Sequence, residues 1–242
     1  MELIKGHEQS LFKMKYSIIT LLLLTVALQL NAQKDFRPYV GIGVHGGYNM
    51  TFVDFASDSA NNERGINTQF YGIIINFLNI QHLGIQLEIN MSQRGWQEGH
   101  DSILYYKRKM EYLEIPLLTH IALGKRVLRY TFDLGPYIAF HRNFTEDFES
   151  QTSNSNNILI PDEHKDLYGK EIDNKFDYGF MIGTGFGINT VLGQFLVHVR
   201  YCQGLSHIMD QFPDTKYYGS QMKSYYAGIS YTYNIALTKN KH

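Results

Sequence analysis

Four side chains spread along the chain are of the types that perform acid–base catalysis. They are Glu114, His120, Asp133 and His198, and carboxylates and imidazoles are the usual general acids and bases of enzymes. A covalent mechanism would also need a serine or cysteine nucleophile with a matching partner, and the sequence offers no such pairing. We therefore interpret the four as structural ion-pairing groups and predict no catalytic residues, no cofactor and no enzymatic activity.

Two short motifs resemble ligand sites. The glycine-rich run 183–187 could be mistaken for a phosphate loop, but it lacks the strand–turn–helix context that such a loop needs. The acidic stretch at 162–166, with Asp162, Glu163, His164 and Asp166, contains oxygen and nitrogen ligands for a divalent cation. We expect the first motif to be a strand with small side chains and the second to be a solvated loop, so we predict no metal site.

The composition is that of a folded, aromatic-rich chain with little net charge. Hydrophobic residues make up 44% of the 242 residues and charged residues 19%, and the net charge is -1. A nucleic-acid-binding protein usually shows a basic stripe, so we predict no nucleic-acid partner. Tyrosine (18) and phenylalanine (15) are abundant and favour β-strands. The single cysteine, Cys202, excludes an intrachain disulfide framework.

The first 32 residues have the pattern of a secretory signal peptide. Lys13 and Lys15 precede an apolar run at 18–30, which leads to a small-residue cleavage site at Ala32. A run of 13 residues is short for a membrane-spanning helix, which needs about 20. We predict a signal peptide over 1–32, with Met14 a more natural start than Met1, and a mature barrel domain over 33–242.

The mature chain alternates between apolar and polar residues with the period of a β-strand. The clearest run spans 176–189. One of its faces carries Phe176, Tyr178, Phe180, Ile182, Thr184, Phe186 and Ile188. The other face carries Asp177, Gly179, Met181, Gly183, Gly185, Gly187 and Asn189.

Eight such runs predict eight strands, near 39–52, 67–78, 83–97, 107–123, 127–141, 176–190, 194–207 and 222–236. The connections after strands 2, 4 and 6 are short, whereas those at 53–66, 98–106, 142–175 and 208–221 are longer and polar. Short and long connections alternate in an up-and-down outer-membrane barrel, with tight turns inside the cell envelope and long loops outside. The pattern predicts an all-β fold, a closed antiparallel up-and-down transmembrane β-barrel of about eight strands.

The polar face carries charges that we expect to pair inside the barrel. A membrane barrel turns its apolar face to lipid and its polar face to the lumen, and an eight-stranded lumen is narrow enough for side chains to fill. We predict a plugged lumen with a structural polar network of Glu88, Arg94, Glu114, His120, Asp133, His198 and Arg200.

Two segments resemble a known family. Residues 111–118 read Glu-Tyr-Leu-Glu-Ile-Pro-Leu-Leu, and 132–138 read Phe-Asp-Leu-Gly-Pro-Tyr-Ile. They are similar to the Tyr-Leu-Glu-Ile-Pro-Leu and Gly-Pro-Tyr strands of the PorT-type outer-membrane β-barrel family, and the likeness extends over nearly the whole mature chain. The resemblance implies the barrel fold for a general member of the family. Its namesake is implied in protein secretion, a role that no residue here assigns to this chain.

The last strand resembles the signal read by the barrel-insertion machinery. It has a glycine and two alternating aromatic residues, Gly228, Tyr231 and Tyr233. The sequence departs from the common pattern because nine residues, 234–242, follow the last aromatic residue.

Three functions remain open from the sequence. The first is a barrel in the bacterial outer membrane with a structural or binding role exerted through its outer loops, whose partners are outer-membrane lipid and the insertion machinery. The second is a membrane-embedded barrel enzyme. The third is a soluble lipocalin-like carrier, in which the apolar face would line a ligand cavity.

Overall fold

The computed structural model describes residues 37–54, 63–100, 104–124, 127–150, 172–208 and 220–237, and these form a β-barrel. The eight strands are β1 (Tyr39–Asp54), β2 (Glu63–Ile80), β3 (Leu83–His100), β4 (Leu104–Gly124), β5 (Leu128–Ser150), β6 (Phe176–Thr190), β7 (Gly193–Gly204) and β8 (Gln221–Ala236). No helix in the described ranges has the length and apolar character needed to span a membrane. The predicted signal peptide lies outside the described residues.

Every strand pairs antiparallel with its neighbours in sequence, and β1 also pairs with β8. The closing ladder is unbroken from Tyr39 opposite Ala236 to Asp54 opposite Gln221. Closure satisfies the backbone hydrogen bonds that an open sheet would leave at its edges, a requirement for any sheet surrounded by lipid. The predicted closed, eight-stranded, up-and-down antiparallel barrel is confirmed.

The two faces of each strand are divided between the outside and the inside of the barrel. Large apolar side chains point outward and are exposed on the outer wall, among them Ile229 (67% exposed), Val197 (61%) and Phe180 (57%). The alternate residues of β6, including Asp177, are buried inside. A soluble carrier would place the apolar face around a central cavity, so the lipocalin-like alternative is wrong.

The barrel has two different ends. Two-residue turns at 81–82 and 191–192 join strands at one end, which also holds the start of β1 and the end of β8. We call this the turn end and the opposite end the loop end. Strands β2 to β5 extend further than expected at the loop end, because the β3–β4 ladder continues to His100 opposite Leu104. The expected long connection at 98–106 is therefore reduced to 101–103.

The loop at 142–175 is also shorter than predicted, because β5 continues to Ser150 in a ladder with β4. A bulge interrupts this ladder: Tyr112 pairs with His141, whereas Glu111 pairs with Asn143, so Arg142 is the extra residue. An extra residue in one strand reverses which side chains point inward beyond it. On the turn-end side of the bulge, the buried residues of β5 have odd numbers. On the loop-end side, the even-numbered Phe144 and Glu146 turn toward the interior instead.

Candidate functional site

The structure buries all seven residues of the predicted polar network inside the barrel. Each is at most 5% exposed: Glu88, Arg94, Glu114, His120, Asp133, His198 and Arg200. They come from strands β3, β4, β5 and β7, and all lie on the face opposite the exposed apolar side chains. Six of them form two clusters, each centred on one arginine. We call the cluster nearer the turn end the lower cluster and the one nearer the loop end the upper cluster.

The lower cluster is centred on Arg200 of β7. Its Nη1 atom lies 2.8 Å from Glu88 Oε1 and 2.9 Å from Glu88 Oε2, and its Nη2 atom lies 3.5 Å from Asp133 Oδ2. His120 Nδ1 lies 2.6 Å from the other oxygen of Asp133, Oδ1. One guanidinium thus joins carboxylates from β3 and β5, and charged groups removed from water need such partners.

The upper cluster is centred on Arg94 of β3. Its Nη2 atom contacts Glu114 Oε2 of the neighbouring strand, and its Nη1 atom lies 2.9 Å from Asp177 Oδ2 of β6, across the lumen. The Tyr137 hydroxyl also donates to Asp177 Oδ2, at 2.8 Å. Tyr226 of β8 donates to Glu114 Oε2 at 3.1 Å. The cluster therefore connects strands that lie on opposite sides of the barrel.

Two histidines lie near the lower cluster. His45 Nε2 is 2.6 Å from Asn90 Oδ1 and 3.6 Å from Glu88 Oε2. The His45 and His198 rings are 5.8 Å apart, centre to centre. Among the described residues, neither ring nitrogen of His198 has a hydrogen-bond partner.

Sequence reasoning missed several titratable lumen residues, among them Asp177, His45 and Arg108. Asp177 was on the polar face of its predicted strand, so the alternation contained a usable signal. His45 shares its buried face of β1 with Asn49 and Thr51. Arg108 lies above the upper cluster, where its guanidinium stacks 4.4 Å from the Phe144 ring and lies 3.3 Å from Glu146. Only the β5 bulge brings Phe144 and Glu146 to that position.

A buried apolar cluster extends to the loop end of the barrel. Its members include Val53, Trp96, Tyr106, Ile172, Ile208 and Met222, all buried. Ile172 and Ile208 belong to the segments that precede β6 and follow β7 rather than to strands. The described parts of these connecting segments thus contribute buried apolar side chains to the cluster at the loop end.

The proposed insertion-signal residues lie on the strand that closes the barrel. Gly228 is on the lumen face of β8, where an added Cβ would lie 2.7 Å from the Phe70 ring. Tyr233 is exposed on the outer wall. The Tyr231 hydroxyl donates to the carbonyl of Leu192 at 2.6 Å, and its ring packs against Phe195.

The glycine-rich run and Pro116 both lie within strands. Gly183, Gly185 and Gly187 lie within β6, in a ladder with β7. Pro116 lies at a gap in the β3–β4 ladder, between the pairs Leu87–Leu117 and Asn90–Glu114, as expected for a residue without a backbone donor. Within the described ranges, no three His, Cys, Asp or Glu side chains converge on a metal position. The stretch at 162–166 lies outside them.

Several solved structures resemble this barrel at low sequence identity. Ail, the attachment invasion locus protein of Yersinia pestis, has a TM-score of 0.40 and 11% identity, covering 80% of this chain and 98% of that chain. Neisserial surface protein A has a TM-score of 0.38 and 11% sequence identity, and the match covers 79% of this chain and 97% of that chain. The N-terminal β-barrel domain of Pseudomonas aeruginosa OprF has a TM-score of 0.32 and 11% sequence identity, and the match covers 80% of this chain and 99% of that chain. No curated protein sequence matches the chain.

A family model gives the assignment directly. Residues 31–210, about three quarters of the chain, match the model described as an outer membrane protein beta-barrel domain. The closed barrel and its apolar outer wall agree with that match. The chain therefore belongs to the family of outer-membrane β-barrel proteins and resides in the bacterial outer membrane.

Proposed function

We propose that this protein is a non-enzymatic outer-membrane barrel with a plugged lumen and a structural or binding role exerted through its loop end. The observation that carries the proposal is the division of its surfaces: apolar side chains cover the outer wall, and charged side chains pair within. Acid–base groups that are at most 5% exposed are poorly placed to receive a substrate. Structural ion pairing is the better explanation of these groups.

The motifs behind the PorT-type resemblance contribute to this arrangement, which supports placing the protein in that group. Glu114, within the Tyr-Leu-Glu-Ile-Pro-Leu strand, contacts Arg94. Tyr137, within the Gly-Pro-Tyr strand, donates to Asp177. At Gly135 an added Cβ would lie 2.1 Å from the Leu117 carbonyl oxygen. These residue types therefore build the upper cluster and the close approach of β4 and β5.

We further propose that residues 1–32 are removed as a signal peptide, that the turn end faces the periplasm and that the loop end faces outward. Lipid would contact the apolar outer wall, and the insertion machinery would read Gly228, Tyr231 and Tyr233. The nearly neutral charge of the chain gives no reason to propose a nucleic-acid partner. N-terminal sequencing of the purified protein should begin at Gln33, and a mature chain that retains the apolar run at 18–30 would contradict the cleavage.

Labelling of an introduced cysteine tests the orientation. Asn143 is exposed at the loop end and Val191 at the turn end, and the native Cys202 is buried. A membrane-impermeant maleimide should modify Asn143→Cys on intact cells and Val191→Cys only after the outer membrane is opened. The reverse pattern would show that the barrel is inserted the other way. Unmodified wild-type protein controls for the background of Cys202.

Two measurements test the function itself. Purified protein in a planar lipid bilayer should give no ion-conducting steps, and regular steps would contradict the plugged lumen. A photo-crosslinking residue at Asn143 should form adducts on intact cells if the loop end binds a partner, whereas the same residue at Val191 serves as the matched control. Equal adducts at both positions, or none at Asn143, would remove the binding role and leave a structural one.

A further inference from the structure

A groove crosses the apolar outer wall of the barrel on the side formed by β6, β7 and β8. Its volume is about 620 Å³. Thr184, Val199 and Ala227 form its floor and lie side by side on the three strands, Thr184 opposite Val199 and Val199 opposite Ala227. The outward residues before and after Thr184 and Ala227 on their own strands are larger, so the floor is recessed from the surrounding wall. We call this feature the wall groove.

Large side chains border the wall groove on both sides. Toward the loop end stand Tyr201 and Tyr225, whose rings are 5.1 Å apart, centre to centre. Toward the turn end the neighbouring row is formed by Phe186, Val197 and Ile229, all exposed on the outer wall. The backbones of Tyr225 and Ile229 are separated along β8 by about 13 Å, much of which their side chains occupy. The space between them therefore suits one hydrocarbon chain better than the convex wall of a second barrel.

The chemistry of the lining also favours hydrocarbon. The Thr184 hydroxyl donates to the backbone carbonyl of Thr131 at 3.0 Å, and the Tyr201 hydroxyl donates to Gln203 Oε1 at 2.6 Å. These two hydroxyl hydrogens are thus already used within the protein. Val199 is 53% exposed, and the outer wall of an outer-membrane barrel is surrounded by lipid. The wall groove is continuous with that wall, so its natural occupant is part of a lipid.

The wall groove begins close to the polar edge of the outer wall. Beyond the pair of Tyr201 and Tyr225, toward the loop end, the next pair on the same face is Gln203 and Lys223. Lys223 forms an exposed ion pair with Asp54 of β1. Aromatic residues mark the boundary between hydrocarbon and water in barrels of this kind. A lipid with its headgroup at this edge would therefore direct an acyl chain toward the groove.

We propose that the wall groove binds one acyl chain of a membrane lipid whose headgroup lies beside Lys223. The floor and both borders would contact the chain, whereas an ordinary lipid touches the wall on one side only. The greater buried apolar area holds this lipid more tightly than its neighbours. The inference goes beyond the loop-end role proposed above and rests on the proposed contact between lipid and the outer wall.

Photo-crosslinking of the full protein tests the site. The barrel is reconstituted in phosphatidylcholine vesicles that contain phosphatidylcholine with a diazirine in its acyl chain, and adducts are located by mass spectrometry of peptides. Ala227→Leu fills the floor from β8, and Val199→Phe fills it from β7. Thr119→Leu is the matched control, because Thr119 is exposed on the outer wall of β4, away from the groove. The wall at Ile73 of β2 provides the reference for ordinary lipid contact.

The wild type and Thr119→Leu should form more adducts in the wall groove than at the reference wall. In Ala227→Leu the larger side chain displaces about two methylene groups of the bound chain, so groove adducts should fall about tenfold while reference adducts stay constant. Folding is checked by the shift of unboiled protein on a gel, and Val199→Phe decides the matter if Ala227→Leu does not fold.

Two results would overturn the site and leave the lipid-facing wall intact. They are equal adducts in the groove and at the reference wall of the wild type, and an unchanged groove yield in a folded, filled variant. Adducts at neither place would instead overturn the contact between lipid and the outer wall.

Discussion

Replacing Arg94 with methionine should destabilise the barrel far more than replacing an arginine or lysine on its outer wall. Arg94 is fully buried and is the guanidinium shared by Glu114 and Asp177. Methionine fills part of the same volume but leaves both carboxylates without their cation. The variant therefore separates the charge of the side chain from much of its bulk.

The magnitude follows from what the two carboxylates retain. Removing one partner of a buried ion pair costs about 3–5 kcal/mol. Glu114 keeps the hydrogen bond from Tyr226, and Asp177 keeps those from Tyr137 and Ser206. We therefore expect the middle of that range, about 4 kcal/mol. The triple variant Arg94→Met, Glu114→Gln and Asp177→Asn should recover most of the loss, because no ionised group is left unpaired.

The assay is equilibrium urea unfolding from lipid vesicles, followed by tryptophan fluorescence. Trp96 is the only tryptophan in the chain and is buried near the loop end, so its emission reports unfolding without further labelling. Lys109→Met is the matched control. Lys109 lies 4.0 Å from Asp147 in a solvent-exposed pair, and such pairs contribute at most about 1 kcal/mol.

The reasoning is refuted if Arg94→Met costs no more than Lys109→Met. It is also refuted if the triple variant is less stable than Arg94→Met alone, since neutralising the two carboxylates would then fail to relieve any buried charge. Either result would mean that water or ions screen the lumen well enough to make the pairing unimportant.

Three further predictions concern the wall and its assembly. Ile229→Arg should lower the free energy of unfolding in the same vesicles by about 2–4 kcal/mol, because this exposed residue lies on the outer face of β8 and the charge would be placed in lipid. An unchanged free energy of unfolding would mean that lipid does not contact that face. Gly43→Ala should reduce the yield of heat-modifiable barrel on a gel, because the added Cβ would lie 1.9 Å from the Tyr231 carbonyl oxygen across the closing ladder. Gly46→Ala is the control and should fold better, because its added Cβ would lie 3.2 Å from its nearest neighbour, the Phe70 carbonyl oxygen. Equal yields of the two variants would contradict the steric argument. Tyr233→Ala should slow insertion in cells more than Tyr201→Ala, an aromatic substitution outside the signal; equal rates measured by surface protease digestion would remove Tyr233 from the signal.

The alternation of residue types determined most of the fold. Side chains of a strand point to alternate faces whatever the tertiary structure, so the pattern from Phe176 to Ile188 was enough to assign its residues to two faces. Only the structure showed that the apolar face is the outer wall. The number of runs gave eight strands, and a short connection requires neighbouring strands to be antiparallel. Strand ends were less predictable: β5 continues to Ser150 through polar residues, because pairing with β4 rather than residue type maintains that part of the ladder.

The sequence also marked which charged residues belong inside, because Glu88, Arg94, Glu114, Asp133 and Arg200 all fall on polar faces. It did not determine their partners. Arg94 meets Asp177 from a strand on the other side of the lumen, 83 residues away, and Phe144 turns inward only because of the extra residue in β5. Local periodicity fixes the face of the strand on which a side chain lies. The tilt and stagger of the strands in the closed barrel fix the height at which that side chain meets another strand. This height is present only in the tertiary structure.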